Sequence, residues 1–69
     1  MNTLYAQRVR LSEELRTAEQ DLKAIMQSDN PNPSILNFYE DLINRHRMLV
    51  RMIDEHLEEG SAERKSRAQ

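Results

Sequence analysis

The sequence predicts an all-α fold: an antiparallel two-helix hairpin, coiled-coil-like in its packing, completed by self-association or by a partner protein. Three observations predict it. Apolar residues recur at helical spacing on both sides of one strong breaker. That breaker is built around two prolines. No segment alternates apolar and polar residues with the period of two that a half-buried strand requires.

The first helix is expected over residues 3–28. Leu4, Leu11, Leu15, Ala18, Leu22 and Ile25 follow one another at steps of seven, four, three, four and three, the spacing of a coiled-coil seam. At about 100° per residue they occupy a stripe only about 80° wide, and they form the expected intramolecular seam. Arg8 falls in the gap between Leu4 and Leu11, where a charge is expected to weaken the contact. The rest of the circumference is mostly polar, with Glu19 and Lys23 in the favourable i,i+4 order.

The breaker is "SDNPNPS", with the turn itself expected over residues 29–32. Pro31 and Pro33 each lack an amide hydrogen and push the preceding residue out of the helical region. Asn32 suits an N-cap, and Pro33 suits the first helical position, where a backbone donor would be unpaired anyway. The second helix is therefore expected over residues 33–59, with Gly60 as a left-handed terminator. The hairpin domain is then 1–60, roughly 35–40 Å long. Residues 61–69, "SAERKSRAQ", carry only alanine as apolar content and are expected to be a disordered tail.

Helix two presents a much wider apolar face than helix one. With Leu36 at 0°, Ile43, Val50, Tyr39, Leu57, Ile35, Ile53, Leu42, Leu49 and Phe38 spread over about 160°, and Met48 and Met52 extend past that arc. The narrow stripe of helix one cannot cover it. What remains uncovered is expected to be Phe38, Leu49, Met48 and Met52 on one flank, or Leu36 and Val50 on the other. Apolar surface of that extent marks an interface, and methionines suit one because they repack easily. The expected partner or self-association surface is Phe38, Tyr39, Leu42, His46, Met48, Leu49, Met52, Ile53 and His56.

The stretch "RHR" sits inside this helix. His46 falls at about −80°, between Tyr39 and Ile53 and within the apolar face, while Arg45 and Arg47 point to its outer sides. A helical metal pair needs a second ligand three or four positions away, and those positions hold Leu42, Ile43, Leu49 and Val50. A phosphotransfer histidine needs an exposed ring. His46 is therefore read as a buried histidine hydrogen-bonded across an interface. His56, at the edge of the face with Glu59 one turn on, is a weak signal. Arg45 can pair with Asp41 and Arg51 with Glu55 at i,i+4, whereas Arg47 and Arg51 repel.

Composition sets further bounds. A chain of 69 residues has a marginal core, and without cysteine it has no disulfide or cysteine-based metal site to reinforce it. A formal net charge of −2 argues against nucleic acid as a partner. No uncharged run approaches the roughly 20 residues of a membrane span, and the start "MNTLYAQRVRL" lacks the apolar core of a secretory signal, so a cytoplasmic protein is expected. No cofactor, metal or catalytic residues are expected. Glu13-Glu14 and Glu58-Glu59 are sequence neighbours that diverge on a helix, not converging acids.

Around the turn the chain resembles the small helical hairpins of bacterial type III secretion. In "NPNPSILNFY", Pro31 and Pro33 frame a turn, and Ile35-Leu36 and Tyr39 follow as an aliphatic pair and an aromatic, as in needle subunits. The co-chaperones that keep those subunits soluble are similar in length and plan. The resemblance is specific only over that stretch. It departs in the single residue between the prolines, where needle subunits have two, and in a greater content of Arg and Glu. It implies a co-chaperone or an assembly subunit. The residues alone leave two function classes: a non-enzymatic interaction module, that is a co-chaperone, adaptor or assembly subunit, or a self-associating four-helix-bundle regulator acting on nucleic acid or a transcriptional regulator.

Overall fold

Two helices and one turn make up the described residues. A computed structural model describes the backbone of residues 3–68 and the side chains of residues 3–58. Helix α1 spans Thr3–Met26 and helix α2 spans Pro33–Ala68, packed against each other as an antiparallel hairpin of 60 × 18 × 15 Å. Among the described residues there is no strand.

The turn forms for the reasons its residue types dictate. Gln27 N–H still reaches the Lys23 carbonyl at 3.2 Å, but Ser28 N–H bonds to the Ile25 carbonyl at 3.1 Å, one residue tighter than an α-helical bond. The Ser28 hydroxyl donates to the same carbonyl at 2.6 Å, satisfying an acceptor that the ended helix leaves open. Helix α1 thus closes two residues before the expected limit of 28. On the other side Asn32 is the N-cap: its Oδ1 accepts from Ser34 N–H at 2.9 Å, and its carbonyl accepts from Leu36 N–H at 3.0 Å. Pro33 is the first helical residue.

Helix α2 does not stop at Glu59. It runs through Gly60 to Ala68, and no described glycine has a positive φ, so Gly60 is not a left-handed terminator. A glycine inside a helix costs only about 1 kcal/mol relative to alanine, and the residues that follow it include the good helix formers Ala62, Glu63, Arg64 and Lys65. Residues 61–68 therefore extend the helix where a tail was expected, and residue 69 lies outside the described residues. The molecule is accordingly longer than the expected 35–40 Å hairpin.

The core is a single seam. Ala18 and Ile43 are its buried residues, and no large side chain is fully enclosed. From α1, Leu4, Leu11, Leu15, Leu22 and Ile25 are half-buried, and from α2 Leu36, Tyr39, Ile43, His46, Val50, Ile53 and Leu57 turn toward them at alternating steps of three and four. The small Ala18 permits close approach of the helices at the level where the larger Ile43 fills the space.

The Gly60→Ala variant separates a continued helix from a terminated one. The continued helix predicts more negative ellipticity at 222 nm and a gain of up to about 1 kcal/mol. A glycine held at positive φ would instead make the alanine variant less stable.

Candidate functional site

The seam places two polar groups at core positions, and each finds an acid on the opposite helix. Arg8, in the apolar gap of α1, meets Asp54 of α2 through both ends of the carboxylate: Nε donates to Oδ1, and Nη2 donates to Oδ2 at 3.3 Å. The fork of the guanidinium matches the carboxylate, so the charge that interrupts the apolar seam has a partner on the opposite helix. The hydrogen bond from Arg8, aided by its charge and opposed by desolvation, holds the Asp54 carboxyl below its ordinary value, and the same contact pushes the Arg8 guanidinium up.

His46 lies in the seam with its side chain 17% exposed. Its Nδ1 is 3.0 Å from the Leu42 carbonyl, and its Nε2 is 2.9 Å from Glu14 Oε2. Both partners are acceptor oxygens, one on the ring's own helix and one on the opposite helix. The histidine is therefore bonded across the intramolecular interface, beside Glu14, which also has Arg10 at 3.6 Å. Arg47 is not simply solvated: its Nη2 donates to Glu19 Oε2 at 2.6 Å across the hairpin, and this answers its repulsion from Arg51. Glu19 turns to Arg47 and not to Lys23. Arg51 and Glu55 approach to 4.0 Å, whereas Asp41 and Arg45 make no ion pair among the described residues.

The residues expected to form one partner surface divide in two. Tyr39, His46 and Ile53 belong to the intramolecular seam, half-buried against α1, and their remaining surface lines the floor of the groove beside the others. The Tyr39 hydroxyl lies 3.4 Å from Asp21 Oδ2, and its ring meets Phe38 edge-on at 5.5 Å. Phe38 (57%), Met48 (62%), Leu49 (44%) and Met52 (57%) are exposed. His56 is also exposed and Leu42 is half-buried beside them. The uncovered flank of α2 is thus the one carrying Phe38 and the methionines, while Leu36 and Val50 turn inward.

A groove follows this flank. Phe38, Leu42, Leu49 and Met52 line its α2 wall, and Arg10, Glu13, Thr17 and Asp21 line its α1 wall. On the opposite side, the space between the helices is bordered by Glu19, Lys23, Glu40, Asn44 and Arg47, more polar and crossed by the Arg47–Glu19 pair. The two flanks thus differ in what α2 presents: apolar side chains on one, and Glu40, Asn44 and Arg47 on the other.

Sequence reasoning missed that α2 carries two stripes and not one broad arc. Ile35, Phe38, Leu42, Arg45, Leu49, Met52 and His56 recur at steps of three and four, just as the seam residues do. At about 100° per residue this second stripe is centred roughly 100° from the first. Arg45 is the one charged member of it. Among the described residues no group of three metal-ligating side chains converges, and no helix is long and apolar enough to cross a membrane. Comparison with family models, with curated proteins and with solved structures returns no match.

Two measurements check the seam. Because the folded Asp54 value is lowered, its contribution to stability is complete above the ordinary value of 3.8 and is lost as pH falls through the lower folded value. Asp54→Asn should therefore lower the melting temperature at pH 7, and the gap to the parent should close as pH falls below the ordinary carboxylate range. His46→Leu should be neutral or stabilising, since Glu14 stays half-exposed beside Arg10 and no acceptor is orphaned. His46→Asp sets a carboxylate against Glu14 in the seam and should cost about 2–4 kcal/mol, against under about 0.5 kcal/mol for Gln20→Asp on the outer side of α1.

Proposed function

We propose that the protein is a small non-enzymatic protein–protein interaction module, a co-chaperone, adaptor or assembly subunit, acting through the exposed stripe of its second helix. The observation that carries this is the row Phe38, Leu49, Met52 with Met48 beside it, left open to solvent although α1 is already packed on the neighbouring face. Fully burying a side chain of this size is worth about 1.5–3 kcal/mol, a large share of what a domain with so small a core can hold. Contiguous apolar surface of this kind marks interaction sites. The likeness of "NPNPSILNFY" to the turn of type III secretion hairpins supports a co-chaperone or assembly role within this class.

A self-associating regulator acting on nucleic acid has less support. Arg8, Arg10, Arg47 and Arg51 each lie beside an acid of the same chain, so their charge is largely answered internally. The formal net charge is −2.

Leu49→Glu tests the proposal without touching the seam. The variant should keep its helical content, and any protein that co-purifies in fixed ratio with the parent chain, a second copy included, should be lost. Unchanged association of the Leu49→Glu variant would move the interaction off this face.

A further inference from the structure

We propose that the occupant of this stripe is a second copy of the chain, its α2 laid antiparallel on the α2 of the first about a two-fold axis beside Arg45. This rests on the interaction reading above and names the partner it leaves open.

The first support is area. A compact monomer of 8.2 kDa is expected to expose about 4,500 Å². This chain exposes 5997 Å², an excess of about 1,500 Å². The length of α2 beyond α1 takes part of that excess. Even half of the whole matches the roughly 800 Å² that each partner contributes to a stable interface.

The second support is the pattern of the stripe, which reads nearly the same in both directions from Arg45. Running outward it has Leu42 and Leu49, then Phe38 and Met52, then Ile35 and His56. An isologous interface needs such self-complementarity, because each residue meets its counterpart from the other chain across the axis. Laid antiparallel about Arg45, Phe38 of each chain meets Met52 of the other, a favourable sulfur–aromatic contact, and Leu42 meets Met48 and Leu49.

The third support is charge. Two arginines beside a two-fold axis repel unless an acid lies within reach. Asp41 lies one turn from Arg45 on the same outer edge of the stripe, and like edges meet in an antiparallel pair of helices. Asp41 and Arg45 make no ion pair within the chain. Across the axis, Asp41 of each chain reaches Arg45 of the other. Of the charged groups of α1 that line the groove, Glu14 and Arg10 are taken up with His46 and with each other, Asp21 lies beside the Tyr39 hydroxyl, and Glu13 stays at the rim in solvent.

The 69-residue chain is free of cysteine and permits a direct test. In the doubly substituted Phe38→Cys, Met52→Cys protein, mild oxidation should give a covalent dimer. Positions 38 and 52 are about 21 Å apart along one helix, so no bond can close within a chain. Either single variant should give little dimer, since each position then faces methionine or phenylalanine. In sedimentation equilibrium the parent should be dimeric at tens of micromolar. Asp41→Arg and Arg45→Asp should each weaken the dimer about tenfold, and the double exchange should restore it, with ellipticity at 222 nm unchanged throughout. A monomer at 100 µM, equal cross-linking by the single variants, or a double exchange no better than either single would overturn the dimer. If the chain is monomeric yet a different protein co-purifies with it and is lost with Leu49→Glu, the self-pairing fails and the interaction module stands. If no association of any kind depends on Leu49, both fail.

Discussion

A two-helix hairpin has one internal interface, and the rest of this structure follows from that constraint. Each helix meets only one neighbour, so each can bury only one stripe. Helix α1 has one, about 80° wide, and is otherwise mostly polar, with Tyr5, Val9 and Met26 scattered outside it. Helix α2 has two, set roughly 100° apart, and the hairpin closes on the first. The seam consumes Leu36, Tyr39, Ile43, His46, Val50, Ile53 and Leu57, and it encloses only Ala18 and Ile43 well. Among the described residues, nothing meets the second stripe. Size makes the matter acute, because a chain this short cannot draw on other packing to offset exposed apolar side chains.

Within the seam, the polar members set the register. Arg8 finds Asp54, and His46 finds Glu14, in a single antiparallel alignment that also brings Tyr39 to Asp21 and Arg47 to Glu19. An apolar heptad seam alone tolerates sliding by a heptad, since leucine faces leucine again. A slid hairpin would leave Arg8 and His46 among apolar side chains without partners, at the desolvation cost of an unpaired polar group. The same four pairs lie at the borders of the seam, partly in water, so their value is in alignment more than in strength. Stability is left to the apolar contacts, and those are few.

The turn and the α1 seam were legible in the sequence because both depend on local rules. Proline fixes its own φ, asparagine caps within two residues, and a heptad is visible by counting. The position of His46 was legible for the same reason. Helical geometry placed it between Tyr39 and Ile53, and that is where it bonds across to α1. The partners of Arg8 and Arg47 were not, because each lies far along the chain and its identity depends on the register of two helices. Gly60 was ambiguous by nature: the same residue ends a helix at positive φ or continues one at modest cost, and the sequence after it decides. The division of the α2 face was missed because a wheel shows which residues share an arc and not which part of the arc the neighbour covers. Tyr39, His46 and Ile53 were thereby placed with Phe38 and Met52, although the seam takes the first three and leaves the last two open.

If the second stripe is covered by another copy, association adds to the stability of the folded hairpin, and that stability depends on concentration. The most direct measurement is thermal unfolding by circular dichroism at protein concentrations from about 1 to 100 µM. A coupled dimer predicts a melting temperature that rises by several degrees across that range, with a transition that sharpens as the dimer saturates. A sharp transition at the same temperature throughout would mean that the single seam suffices, and would contradict the view that this hairpin is built to be completed by a second chain.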